Sequence, residues 1–281
     1  MNYDPSVLER VAQQFRREMW TSVVPDAVTE SGVEVESFGP VQATAFGDLP
    51  EIGALNQVQG AAEPDAISGG HLARAVEWMR AREVDYRVPV AERRPGSAVA
   101  EAWLGERGFE RAGAWVKLVR DASSIELPTS PGVEVYELGD DEADGEGLSA
   151  IVPEALGMPM TVGTLFFSLP LEANWRCYTA AVDPGEGIVA AGSMLLCEGV
   201  AQLGPGATLK QGRGRGCNRE LLRHQLVDAI KAGCHTLFVE LGECDPGSFS
   251  AARGNLLRAG FQEAYGSRVW KRPALRPAAV Y

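Results

Sequence analysis

A short stretch rich in glycine and arginine constrains the fold of this chain more than any other feature. It follows the run Val200–Leu209, which is apolar enough for a buried strand, and it precedes residues 218–232, whose apolar side chains recur on one face as in a helix. Glycine lets the backbone turn sharply and approach a ligand closely, because it has no Cβ. The order of strand, glycine-rich loop and helix predicts an α/β fold with a ligand site at the loop.

The loop has the chemistry of an anion-binding site. It reads Gln211-Gly212-Arg213-Gly214-Arg215-Gly216-Cys217-Asn218. The first N–H groups of a helix have no acceptor within the helix and carry about half a positive charge, which favours phosphate. Arg213 and Arg215 add charge-assisted donors for phosphate oxygens. We therefore predict that this loop binds a diphosphate.

Two other nucleotide-binding motifs compete with this prediction. A P-loop is excluded because the stretch lacks Gly-Lys-Ser/Thr. A dinucleotide fingerprint needs Gly-x-Gly-x-x-Gly and an acidic residue about 20 positions later. Gly212 and Gly214 begin that pattern, but Cys217 occupies the place of the third glycine. Glu240 lies at a plausible distance for the acid, yet the loop comes too late in the chain for a nucleotide-binding sheet.

The chain repeats its own pattern at the spacing of a domain. Gly-Val-Glu-Val opens an alternating strand pattern at residues 32–35 and again at residues 132–135. In both halves a helical pattern ends in Gly-Phe, at 108–109 and 260–261, before a strand that contains tryptophan. Such a period predicts a tandem pair rather than a solenoid. We expect domains at 1–120 and 132–275, a Ser- and Pro-rich linker at 121–131 and a tail at 276–281.

Composition narrows the class of protein. The chain has 26 lysine and arginine residues against 38 acidic ones, a formal charge of −12, which disfavours binding to nucleic acid. It has no run of about 18 apolar residues for a membrane span and no signal-peptide core. Five cysteines without C-x-x-C spacing and only three histidines favour reduced thiols and no metal site. We expect a cytoplasmic protein.

The loop resembles the pyrophosphate loop of the GNAT (GCN5-related N-acetyltransferase) superfamily, whose pattern is Gln/Arg-x-x-Gly-x-Gly/Ala at a helix start. Gln211, Gly214 and Gly216 satisfy the pattern in one register. Arg213 and Gly216 fit a second register, with Asn218 as a departure in the last place. We prefer the second, because the aliphatic pair at 221–222 then has the usual spacing. The resemblance covers nearly the whole second half, including Gly260-Phe261, and weakly the first; the arrangement is similar to bacterial tandem GNAT proteins.

This resemblance implies two tandem GNAT-like domains, each with a mixed, splayed sheet between helices. Acyl-CoA would lie between splayed parallel strands, and a backbone N–H near Leu209 would stabilise the oxyanion. The loop of the first half has Gly69-Gly70 but no basic residue, so it resembles a degenerate copy without a cofactor site. The residues that the resemblance assigns to acetyl-CoA are Thr208, Leu209, Lys210, Arg213, Gly214, Arg215, Gly216, Cys217, Asn218 and Asn255.

Catalytic residues follow less directly from the resemblance. Glu240, at the end of the strand after the loop helix, is the candidate general base, with a salt-bridged structural acid as the alternative. The family often has a tyrosine acid five residues before the Phe of Gly-Phe, where this chain has Leu256. Tyr265 is the candidate substitute, with a packing role as the alternative. Catalysis without an acid is possible, because a thiolate of pKa about 8.5 is a tolerable leaving group.

The sequence therefore predicts an acetyl-CoA-dependent N-acyltransferase that acts on a primary amine of a small molecule, as a monomer or homodimer. One alternative is an acyl-CoA-binding module of the same fold that is catalytically weak or silent, as Leu256 suggests. A second alternative is a scaffold whose first half docks a partner protein through an exposed apolar patch.

Overall fold

The computed structural model describes residues 3–21, 32–123, 127–139, 142–182, 187–242 and 246–272. The chain forms two compact units, each built from two stretches of sequence. The large unit takes residues 1–30 and 117–264, and the small unit takes residues 31–116 and 265–281. The predicted tail at 276–281 lies outside the described residues.

The described helices and strands alternate along the chain. The helices are α1 (Pro5–Thr21), α2 (His71–Arg80), α3 (Ser97–Glu106), α4 (Glu142–Leu156), α5 (Cys217–Lys231) and α6 (Pro246–Arg258). The strands are β1 (Val33–Phe38), β2 (Val41–Phe46), β3 (Gln57–Gln59), β4 (Arg87–Ala91), β5 (Glu110–Asp121), β6 (Val133–Leu138), β7 (Trp175–Val182), β8 (Ile188–Cys197), β9 (Val200–Thr208), β10 (Thr236–Gly242) and β11 (Gln262–Lys271).

The small unit is a sheet in the order β1-β2-β3-β4-β11 with helices packed on it. β1 and β2 form a hairpin, β3 and β4 run parallel and are joined through α2, and β11 adds antiparallel to β4. Alternate residues of β2 and β4 point into the core, as expected for strands. Leu72, Val76 and Met79 recur at helical spacing, which predicts a core face, and this face of α2 is buried.

The strands of the large unit follow the order β5-β10-β9-β8-β7-β6 and are mixed in direction. β6 to β9 form an antiparallel meander, and β9 pairs with β10 in parallel through α5. Apolar runs over 175–182, 187–197, 200–209 and 235–241 predict four strands, and these runs match β7 to β10 within about one residue. The mixed α/β fold class predicted from the sequence is confirmed.

A β-bulge bends β9 near its centre. The register against β8 shifts between Gly192 and Met194, opposite the segment Gly204-Pro205-Gly206. The hydroxyl of Ser193 donates to the carbonyl oxygens of Gly204, at 2.8 Å, and Pro205, at 3.1 Å, which secures the displaced backbone. A proline flanked by glycines within a strand pattern predicts a bulge or a splayed strand, and the register shift shows the bulge.

The parallel pairing of β9 with β10 ends where the bulge begins. The two strands pair from Val200–Thr236 to Leu203–Val239. Beyond those residues β9 continues to Thr208 and β10 to Gly242 without further paired positions in the described register. The carboxyl ends of two neighbouring strands therefore diverge, which opens a wedge in the sheet immediately before the glycine-rich loop.

Helix α1 packs on the sheet of the large unit. The Phe15 ring lies 4.9 Å from the Trp175 ring, and the carboxylate of Glu18 accepts the indole N–H of Trp175 at 2.9 Å. The predicted domain 1–120 grouped this helix with the first half of the chain, whereas its contacts place it in the large unit. None of the described helices is both long and apolar enough to traverse a bilayer.

Candidate functional site

The glycine-rich loop lies where the wedge opens, between β9 and α5. Its first part is a 3₁₀ turn over Lys210–Gly212. Gly212 is buried, and a Cβ there would lie 2.8 Å from the Cγ2 of Val189, so no larger residue fits. Gly214 and Gly216 both have left-handed backbone angles, with φ of +77° and +95°. All three positions therefore require glycine, for reasons of space or of backbone conformation.

Gly216 caps the amino end of α5 and exposes the amides of its first turn. The first helical hydrogen bond runs from Glu220 N–H to the Gly216 carbonyl, at 3.0 Å. The four preceding N–H groups, from Gly216 to Arg219, have no acceptor within the helix. Together with the helix dipole they form a cradle for an anion, which we call the α5 cradle.

Three basic side chains surround the α5 cradle, and all of them are exposed. Lys210 and Arg215 extend from the loop surface. Arg213 folds back along the loop, where its Nε donates to the Thr208 carbonyl at 3.3 Å. The loop therefore carries three positive charges next to a helix start that no side chain caps, although the chain as a whole is acidic. This local excess of positive charge suits a ligand with several negative charges.

Helix α6 supports the other side of the cradle. Asn255 donates through Nδ2 to the Oδ1 of Asn218, at 2.7 Å, and accepts from Arg258 at 2.6 Å. The Asn255 amide is thus engaged on both of its polar atoms and holds the second residue of α5. Cys217 is buried at the first position of α5, and burial raises the pKa of its thiol, so it is a packing residue of the cradle.

The backbone at the end of β9 differs from the expectation in one respect. The N–H of Leu209 donates to the Val189 carbonyl at 2.8 Å, so it continues the pairing with β8. A donor used in this way cannot also stabilise an oxyanion, which corrects the assignment to Leu209. Successive N–H groups along an extended strand point to opposite sides, so that of Thr208 points towards the wedge.

Glu240 lies in a buried ion cluster of the large unit. Its carboxylate contacts Nη2 of Arg16 through one oxygen and Nζ of Lys117 through the other. Lys117 also pairs with Glu9 at 2.9 Å, and the Lys117 and Glu240 side chains are only 2% and 8% exposed. Burial alone would raise the pKa of Glu240, but the two cations outweigh it and lower the pKa to about 2.

This cluster changes the assignment of Glu240. A carboxylate with a pKa of about 2 is a poor proton acceptor near neutral pH. The geometry therefore favours the structural alternative, a salt-bridged acid, over the general base. No sequence signal identified the cluster, because Arg16 and Glu240 are separated by 224 positions. Tyr265 is buried and belongs to the small unit. Its role as the general acid stays a prediction.

The small unit contains the corresponding loop in a closed form. It joins β3 to α2, and Gly70 caps α2 with a left-handed φ of +68°, as Gly216 caps α5. Here, however, the N–H of Leu72 donates to the Ala66 carbonyl at 2.8 Å, so a first-turn amide is already bound. The His71 ring fills the space beside Gly69, where a Cβ would lie 2.5 Å away. Acidic residues in this loop, Glu63 and Asp65, further disfavour an anion.

Three solved structures are similar to this chain in fold over most of its length. A GCN5-related N-acetyltransferase from Kribbella flavida has a TM-score of 0.59 and 17% identity, over 92% of this chain and 95% of that one. A second, from Sphaerobacter thermophilus, has a TM-score of 0.60 and 14% identity, over 85% and 82%. A tandem GNAT protein from the clavulanic acid biosynthesis pathway has a TM-score of 0.61 and 13% identity, over 93% and 88%. The chain has the GNAT fold.

The GNAT fold confirms the resemblance and the tandem architecture predicted from the loop and from the repeat. No protein-family profile and no curated protein sequence matches the chain. At these identities the likeness concerns the fold, and the assignment of single residues rests on the geometry described above. Among the described residues, no three His, Cys, Asp or Glu side chains are grouped so as to hold a metal ion.

Proposed function

We propose that the chain is an N-acyltransferase that moves an acetyl or short acyl group from acyl-CoA to a primary amine of a small molecule. One observation carries this proposal: in a GNAT fold, the α5 cradle lies at the mouth of the wedge between β9 and β10. The amides of residues 216–219 suit the diphosphate of CoA, and Lys210, Arg213 and Arg215 supply balancing charge. Thr208 and Leu209 border the path of the pantetheine arm.

In the proposed reaction the neutral amine nitrogen attacks the thioester carbon. The C–N bond forms, the C–S bond breaks, the amine loses a proton, and sulfur leaves as a thiolate that solvent can protonate. The N–H of Thr208, which points into the wedge, is the proposed donor to the oxyanion. Since Glu240 is held by two cations, deprotonation of the amine depends on water or on another group. For an alkyl amine at pH 7 this costs about 4.6 kcal/mol.

A catalytically weak or silent acyl-CoA-binding module remains the second candidate. Two observations favour it: Leu256 stands at the position of the usual tyrosine acid, and Glu240 is locked in the ion cluster. We further propose that the small unit is a degenerate copy without a cofactor, since its loop is closed. A cytoplasmic location and a monomeric or homodimeric state are part of the same proposal.

A calorimetric titration with acetyl-CoA, followed by thiol release over a panel of small amines, tests the proposal. The expected result is tight binding by the wild type, release with at least one amine, and lost binding in Gly216→Glu, whose side chain would displace Ser130, strain the cap of α5 and add a negative charge beside the cradle. Asp65→Glu, in the closed loop of the small unit, is the control and should bind like the wild type. Binding without release on any amine would favour the silent module, and equal binding by Gly216→Glu would refute the cradle.

A further inference from the structure

The segment that precedes β6 packs against the first turn of α5. Ser130, the central residue of this segment, is buried. Its hydroxyl donates to the Gly216 carbonyl at 3.2 Å and accepts from Nε and Nη2 of Arg219 at 3.1 and 2.9 Å. Its backbone N–H donates to Oε2 of Glu220 at 3.0 Å. Four hydrogen bonds therefore connect one linker serine to three residues around the start of the helix, at positions 216, 219 and 220.

Ser130 also fills the space beside the cap glycine. A Cβ on Gly216 would lie 2.6 Å from the Ser130 hydroxyl and 2.7 Å from its Cβ. The serine thus occupies the volume that a side chain at 216 would need, and it supports the left-handed backbone from behind. The Ser130 hydroxyl can reach the Gly216 carbonyl only because residue 216 has no Cβ.

Glu220 holds the linker in place from the helix. Its carboxylate is buried in the first turn of α5, where the helix dipole favours a negative charge. One oxygen accepts the Ser130 N–H, and the other accepts Nε of Arg223 at 2.6 Å. Hydrogen bonds to an ionised acceptor are stronger than those between neutral groups. The position of Ser130 is therefore set by a charged contact.

The orientation of the cradle amides follows from this contact. The Gly216 carbonyl is held by the Ser130 hydroxyl and by the Glu220 N–H. The peptide group that links Gly216 to Cys217 is planar, and in a trans peptide its N–H points opposite to its C=O. Fixing the carbonyl oxygen towards Ser130 therefore fixes the Cys217 N–H in the opposite direction, away from the linker and towards the open side of the loop.

We propose that Ser130 and Glu220 are positioning residues that orient the amides of the α5 cradle for the diphosphate of acyl-CoA. This inference rests on the proposed function, since it concerns the same ligand. It assigns a role in binding to a linker residue that never touches the ligand itself.

Ser130→Ala tests the inference through CoA binding measured by calorimetry on the whole chain. Loss of one positioning hydrogen bond should weaken CoA binding roughly three- to tenfold. Pantetheine, which lacks the diphosphate, should bind the variant and the wild type equally, which a general structural defect would not produce. Ser130→Thr keeps the hydroxyl and should bind CoA within about twofold of the wild type.

Ser123→Ala is the matched control, because Ser123 lies in the same linker and its hydroxyl contacts the exposed Asp121 instead of the cradle. Its CoA affinity should equal that of the wild type. If Ser130→Ala does not fold, Glu220→Gln decides, with an expected weakening of roughly two- to fivefold. Wild-type CoA affinity in the deciding variant overturns the inference alone. Failure of the wild type to bind CoA overturns the proposed function instead.

Discussion

At the scale of single residues, Gly216 combines two demands that are usually separate. Its φ of +95° lies in the left-handed region, which costs a residue with a side chain about 1–2 kcal/mol. Its missing Cβ also leaves the space that Ser130 fills. Gly214, two positions earlier, has only the first demand, since a Cβ there would meet nothing within 4 Å. A substitution at Gly214 therefore tests backbone strain alone, whereas one at Gly216 tests strain and steric overlap together.

Gly216→Ala should lower the free energy of unfolding by about 2–4 kcal/mol, through strain together with overlap. Gly214→Ala, its matched control, should lose only about 1–2 kcal/mol, through strain alone. Urea unfolding monitored by circular dichroism measures both changes. Equal losses in the two variants would mean that Ser130 moves aside without cost, contrary to the packing described here.

Glu240→Gln should lower the free energy of unfolding by about 3–5 kcal/mol at pH 7, because the buried Arg16 and Lys117 lose the negative charge that lies between them. Glu198→Gln is the control, because Glu198 pairs with Arg10, which lies on α1 like Arg16. The Glu198 and Arg10 side chains are 44% and 54% exposed, so the loss of stability should stay below about 1 kcal/mol. Chemical unfolding at pH 7 compares the two variants, and equal losses would contradict a buried cluster.

The same ion cluster predicts a pH dependence. The pKa of Glu240 falls from its usual value near 4.5 to about 2 in the folded state. Its contribution to stability is therefore complete above about pH 5 and is lost as the pH falls towards 2. Wild-type stability should drop more steeply than that of Glu240→Gln across this window. Parallel pH profiles would show that the carboxylate is not held by Arg16 and Lys117.

The residues of the loop could be predicted from the sequence, whereas those of the cluster could not. Glycines, arginines and the helix start are neighbours in the chain, so local chemistry identifies them. Arg16, Lys117 and Glu240 meet only after folding. Ser130 has the same difficulty, because nothing in a Ser- and Pro-rich linker distinguishes a serine that contacts a helix 86 positions away.

At the scale of elements, α1 is the part that sequence reasoning placed least well. Its periodicity shows a buried face, but not which sheet covers it. In the structure it packs on the large unit through Phe15, whose ring contacts Trp175 and lies 3.7 Å from the Cβ position of Gly204 in the bulge. The bounds of β7 to β10, by contrast, followed from their apolar runs and glycines, which act locally.

Phe15→Ala should destabilise the large unit by about 3–5 kcal/mol, because it leaves a cavity beside Trp175 and the bulge. Leu257→Ala on α6 is the control, since that side chain is exposed and its loss should change stability by about 0.5 kcal/mol or less. Urea unfolding of both variants measures the difference. A loss in Phe15→Ala no larger than in the control would mean that α1 does not stabilise this unit.

At the scale of the whole molecule, the two units share an order of strand, loop and helix but differ at the start of that helix. Both units place a glycine-capped helix between parallel strands. In the large unit no side chain caps the first turn of α5, and the loop before it carries exposed basic residues. In the small unit a loop carbonyl and His71 close the corresponding place. The two units therefore share an order of strand, loop and helix, and local hydrogen bonding accounts for the expected difference in ligand binding.

A crystal structure of the protein soaked with CoA would show whether the α5 cradle binds the diphosphate. We expect one CoA per chain in the large unit, with diphosphate oxygens about 3 Å from the backbone nitrogens of residues 216–219. The start of α2 in the small unit should hold no ligand. Diphosphate at α2, or CoA bound to any other surface while the α5 cradle stays empty, would contradict the central claim.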